Sequence, residues 1–113
     1  MDEGAQRENL SFLVRNGVHG LMVNGSTGEA ESVSREKREM NIEIAKKVGG
    51  KLPVIAGTGA PSTTAVKHLT RDAKDAGADA VMIVTPFYLI PNDEGLVKHY
   101  KAIFSCVDIP VRA

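Results

Sequence analysis

The chain has 113 residues, with hydrophobic residues at 42% and charged residues at 25%, the ordinary balance of one globular domain with a modest core. Lys+Arg 14 offset Asp+Glu 14, so net charge offers no draw to nucleic acid or to an anionic membrane surface. No apolar run nears the roughly 20 residues of a membrane span, Met1–Asn9 is too charged for a secretory signal, and the single Cys106 leaves no internal disulfide and no multi-cysteine zinc site.

An opening helix is expected up to about Asn16, presenting Leu10, Leu13 and Val14 and stopped by Gly17. The apolar run Gly-Leu-Met-Val then reads as a strand that ends in Asn24-Gly25-Ser26-Thr27-Gly28-Glu29. A helix follows from Arg35 to Val48, with Met40, Ile44, Ala45 and Val48 on one stripe, Ser34 as N-cap and Gly49-Gly50 as its end. The next strand lies in Lys51–Gly59, and its helix runs Thr63–Ala76, with Val66, Leu69, Ala73 and Ala76 between Ser62 and Gly77. A third strand in Ala78–Pro86 leads to a helix from Asp93 to about Val107, capped by Asn92 and carrying Leu96, Tyr100, Ile103 and Val107. Asp93 and Glu94 suit the positive end of its dipole. A fourth strand begins at Asp108-Ile109-Pro110-Val111.

The apolar runs recur at roughly 30 residues, the size of a strand plus its crossover helix. They are nearly continuous rather than alternating, as parallel strands covered on both faces require. With no linker or low-complexity tract, residues 1–113 read as one unit of α/β class. Periodicity leaves two architectures open: an open doubly wound sheet, or part of a (β/α)8 barrel. A complete barrel needs about 250 residues, so the second would be about half of one. Either way ligands meet the C-terminal strand ends, which directs attention to residues 24–29, 57–62 and 85–92.

Gly25-Ser26-Thr27-Gly28 offers two hydroxyls and accessible backbone N–H groups, a set able to grip a carboxylate or phosphate; the same residues also make an ordinary turn. Gly57-Thr58-Gly59-Ala60-Pro61-Ser62 lacks the spacing of a phosphate loop or a dinucleotide fingerprint and reads as a tight turn with close packing. Tyr88 sits just past a strand end, placed for proton transfer or as a wall residue. His19 lies at a strand entrance, and His68 and His99 fall in helices as solvent-facing or interfacial residues. Cys106 is structural, and the charged helix around Arg35–Lys47 is a solvated face. Every lysine, from Lys37 to Lys101, lies in a helix or at a strand entrance, and no metal-ligand cluster is visible.

Three blocks, residues 20–39, 53–66 and 77–103, resemble the dihydrodipicolinate synthase and N-acetylneuraminate lyase family in order and spacing. That resemblance covers almost the whole chain but well under half of a family member. It implies a partial (β/α)8 barrel, from enzymes that form a Schiff base between a strand-end lysine and pyruvate or another 2-oxo acid and then make or break a carbon–carbon bond. It further implies homotetramers built as dimers of dimers; from composition and the charged N-terminus a cytoplasmic protein is the default, and no cofactor is expected. By position, Ser26 and Thr27 match the hydroxyl pair that holds the carboxylate, Ser26 also joining a proton relay, and Gly25 offers its N–H. Tyr88 matches the tyrosine that reaches across a tight dimer interface.

The family's first strand should precede Met1. The Tyr-Asn-x-Pro turn of its fifth strand and the Schiff-base lysine of its sixth have no counterpart up to Ala113. Ser26, where the synthases usually carry Thr, leans towards the lyase and related aldolase branches. The expectation is a family segment inactive on its own. The alternatives are a non-catalytic half-barrel that pairs with another half or with itself, and a small anion-binding α/β domain.

Overall fold

The computed structural model describes residues 3–24, 34–60, 62–84 and 92–112. Helices and strands alternate along it as α1 (Glu3–Arg15), β1 (Leu21–Val23), α2 (Arg35–Gly49), β2 (Val54–Gly57), α3 (Thr63–Ala76), β3 (Ala80–Met82), α4 (Asp93–Cys106) and β4 (Val111–Arg112). The boundaries follow local chemistry. Ser34, Ser62 and Asn92 each accept a bond from the backbone N–H three residues on, a cap contributing roughly 1 kcal/mol. Gly77 ends α3 in the left-handed region, φ 105°, where its N–H returns to the carbonyls of Ala73 and Lys74. A side chain there would be strained, so the helix stops where the sequence places its glycine.

The strand order decides the architecture. All three pairings are parallel and the order is β1-β2-β3-β4, with no reversal. A doubly wound sheet reverses direction at a switch point and puts helices on both faces. Here each crossover steps the same way, and right-handed crossovers then place every connecting helix on one face. α1 packs on α2, α2 on α3 and α3 on α4, in a single row. This is a partial (β/α)8 barrel.

The strand register sorts the side chains. Val23, Ala56, Val81 and Val111 are register partners; the first three are buried, as are Leu21 and Val54. They meet Leu10, Ile42, Ile44, Ala45, Val66, Ala73 and Ile103 from the helices to form the core. The opposite face carries Met22, Ile55 and Ala80 in register, then Gly57 beside Met82. It is apolar, as the continuous runs predicted, but not covered: Met22 is 47% exposed and Val84 54%. The reason is geometric. The inward side chains of a barrel are covered by inward side chains of the strands opposite, and four neighbouring strands cannot supply them to one another.

Candidate functional site

The sheet's C-terminal rim is where the fold puts chemistry. Gly25, Ser26, Thr27 and Tyr88, the residues singled out by the sequence, lie outside the described residues. The structure does define the rim from which their loops depart. α2, α3 and α4 all start there, at Ser34, Ser62 and Asn92, so three helix N-termini bring the positive ends of their dipoles to this edge.

The first residue beyond each of the first three strands is tied to the helix that follows. After β1, Asn24 donates from Nδ2 to the carbonyl of Arg38 in α2, 3.1 Å. After β2, the Thr58 and Thr70 hydroxyls bond at 3.0 Å, with Thr70 in α3. After β3, the Tyr100 hydroxyl of α4 donates to the carbonyl of Ile83, 3.1 Å. Thr58 is 2% exposed and Thr70 0%, so these are buried, neutral bonds. Burial raises the Tyr100 phenol above its ordinary value, which keeps it protonated and able to donate.

Asn24 differs from its counterparts. Its φ of 60° makes it the one non-glycine residue with positive φ among those described, a conformation Asn tolerates better than most side chains. It is 7% exposed, and its Oδ1 accepts from Asn41 Nδ2 at 3.0 Å. Between the β2 and β3 exits the fit is tight. A Cβ on Gly59 would stand 2.5 Å from Val84 Cγ1 and 3.1 Å from the Val84 nitrogen. The close packing expected of this segment is present at Gly59, and a side chain there would push the two exits apart.

His99 was expected to face solvent or a neighbouring element, and it does the latter: it is 4% exposed and packed on the start of α3. Its Nδ1 lies 2.7 Å from Thr63 Oγ1. Nε2 meets no hydrogen-bond partner among the described residues, and burial holds the imidazole below its ordinary value, in the neutral form. His19 and His68 are exposed.

α2 is less of a solvated face than its charges indicated, because Asn41 and Ile42 are both buried. Every lysine sits on α2, α3 or α4, or, for Lys51, in the turn that leads into β2. Among the described residues no group of His, Cys, Asp and Glu is placed to hold a metal ion, and no helix is long and apolar enough to cross a membrane.

Comparison with known proteins matches this arc to one lineage. The profile of the dihydrodipicolinate synthetase family matches residues 1–112. The chain belongs to that family. The 4-hydroxy-tetrahydrodipicolinate synthase of Pseudomonas putida (strain W619) is 47% identical over 111 residues, which is 97% of this chain and 38% of the relative. That of Methanospirillum hungatei JF-1 is 46% identical over 112 residues, 98% of this chain and 38% of the relative.

Among solved structures, the chloride-inhibited synthase of Acinetobacter baumannii, complexed with pyruvate, superposes with a TM-score of 0.94 at 39% identity, covering 98% of this chain and 38% of that one. A prophage protein of the family from E. coli K12, also in complex with pyruvate, gives a TM-score of 0.90 at 27% identity, over 98% of this chain and 38% of that one. The chain thus spans about 38% of the length of the curated relatives it matches.

Sequence reasoning missed Asn41, Thr58, Thr70 and the Thr63–His99 pair. The one local signal for Asn24 is its type: Asn before Gly at the end of an apolar run is a left-handed residue in waiting.

Proposed function

We propose that this chain supplies the substrate-holding arc of a Schiff-base lyase or synthase acting on pyruvate or another 2-oxo acid. Ser26 and Thr27 hydroxyls, with the Gly25 N–H, hold the substrate carboxylate through neutral donors. Ser26 also passes a proton, and Tyr88 reaches across a subunit interface into the partner's relay. The observation that carries the reading is positional. Gly25-Ser26-Thr27 follows directly from the exit of β1, at the rim where three helices begin, in a chain of this family.

Iminium formation needs an amine that attacks the 2-oxo carbon and expels water. In the family that amine stands at a strand end, whereas this chain has lysines only on helices and in the turn before β2. The amine is therefore supplied from outside these residues, and residues 1–113 alone do not turn over. The working protein is a cytoplasmic homotetramer, a dimer of dimers that needs no cofactor. A second reading, a non-catalytic half-barrel, draws on the uncovered Met22 and Val84; it predicts that sedimentation finds a tight dimer that ignores pyruvate.

Borohydride trapping tests the proposal. The chain is incubated with pyruvate and borohydride beside the full-length Pseudomonas putida relative, and intact masses are read. The expected result is a reduced adduct on the relative and none on the chain. A hybrid in which residues 3–112 replace the matched segment of that relative should regain the adduct, and Ser26→Ala in the hybrid should raise KM for pyruvate. A stoichiometric adduct on the isolated chain, or an unchanged KM in the Ser26 variant, overturns the assignment.

A further inference from the structure

The bond between Asn41 and Asn24 is odd for its place. Asn41 lies in α2 beside Ile42 and Ile44, which belong to the apolar core, and is itself 5% exposed. An apolar side chain at this position would need no hydrogen bonds. Asn41 instead uses its Nδ2 on Asn24 and leaves its Oδ1 without a partner among the described residues. A buried amide at a core position costs stability unless it is bonded, so the bond from Asn41 to Asn24 has to account for its presence.

What it holds is Asn24. The Asn24 side chain is engaged at both ends, accepting from Asn41 and donating to the Arg38 carbonyl. Its backbone occupies the left-handed region, which turns the chain out of the line of β1. The very next residues are Gly25, Ser26 and Thr27. Among the described residues, the exits of β2 and β3 show one side-chain bond apiece to the following helix, and neither has a non-glycine residue at positive φ.

We propose that Asn24 and Asn41 form a positioning pair. They fix the direction in which the chain leaves β1 towards Gly25-Ser26-Thr27, the segment assigned above to a 2-oxo-acid carboxylate. This deepens the reading above and rests on it. Neither amide touches substrate. Their neutrality matters, because a charged clamp at this point would compete with the carboxylate for the same donors or bind it in the wrong place.

Amide hydrogen exchange on the 113-residue chain separates positioning from mere packing. Asn41→Leu removes the holder and the orphaned acceptor together, replacing them with core-compatible bulk. Exchange at residues 25–28 should accelerate about fivefold to tenfold while β2 and β3 amides keep their protection. Asn24→Gly, which retains the backbone freedom but not the side chain, should loosen the same residues; it decides the matter if the first variant does not fold.

Exchange at residues 25–28 within about twofold of the parent overturns the proposal, as does a parent whose residues 25–28 are already unprotected. Equal loss of protection throughout the sheet also overturns it, because the pair would then be a fold element only. Pyruvate titration of the same backbone signals tests the reading beneath. If the parent does not respond to pyruvate, the carboxylate site fails while the exchange result still decides the pair.

Discussion

The two rims of the sheet are held by different chemistry. At the strand entrances the fastener is charged and open to water. Asp79 Oδ2 accepts from the Val54 N–H at 2.8 Å and pairs with Lys46 Nζ at 3.0 Å, with the two side chains 45% and 32% exposed. It joins the start of β2, the approach to β3 and the last turn of α2. Just past the first three strands, the side-chain bonds described above are neutral and mostly buried: Asn24 with Asn41, Thr58 with Thr70, and Tyr100 with the Ile83 carbonyl. The difference teaches where charge is tolerable. The entrance bond stays open to water, so its charges keep most of their solvation. The buried bonds behind the exits would lose that solvation, so amides and hydroxyls serve there at lower cost.

The comparison can be broken at its strongest point, Asn24. Asn24→Leu forces a branched side chain into the left-handed region, about 1–2 kcal/mol, and strands the Asn41 amide, about 1–3 kcal/mol. The expected loss is about 2–4 kcal/mol in urea unfolding, with Asn24→Gly costing clearly less. Equal costs for the two would show that φ plays no part. Thr58→Val leaves a fully buried Thr70 hydroxyl unpaired and should cost about 1–3 kcal/mol.

At the opposite rim, Asp79→Ala should cost about 1–2 kcal/mol, chiefly the bond to the Val54 N–H. Lys46→Ala removes only the exposed pair and should cost about 0–1 kcal/mol. That small term should shrink further in salt, whereas the exit variants should be indifferent to salt. A salt-dependent Thr58→Val, or a salt-independent Lys46→Ala, would erase the contrast.

Acid titration should separate the rims by pH window. Burial lowers His99 from 6.5, so the unfolded chain binds the extra proton first. The His99 contribution is present above that value and is lost as pH falls below it. Asp79 is lowered from 3.8, first by the Val54 N–H and then by Lys46, so its contribution persists to a lower pH and is lost only as pH falls through that depressed value. Urea midpoints across this range should fall in two stages, and His99→Phe should remove the upper stage alone. A single acid stage in the parent would count against the buried, neutral imidazole.

Much of this architecture was legible beforehand. The caps Ser34, Ser62 and Asn92 and the stop at Gly77 act within one helical turn, so each could be read from neighbours in sequence. The stripe of α3 was found because Val66, Leu69 and Ala73 repeat at the helical period. Asn41 and Ile42 were overlooked because they flank that kind of stripe on α2 among charged residues. The Gly25-Ser26-Thr27-Gly28 motif was visible in the sequence, but nothing local tells what braces the strand end before it.

The sequence by itself determined the order and type of the elements, the ends of the helices to within about a residue, and the family to which they belong, because caps, periodicity and motif spacing are short-range properties. Only the tertiary structure decided that β1 to β4 run in order along one arc, and that helices cover one face alone. It alone paired Asn24 with Asn41, 17 residues apart, and Thr63 with His99, 36 apart. Such bonds depend on which helix lands beside which strand end, and that is set by the packing of the whole sheet rather than by any residue's neighbours in the chain.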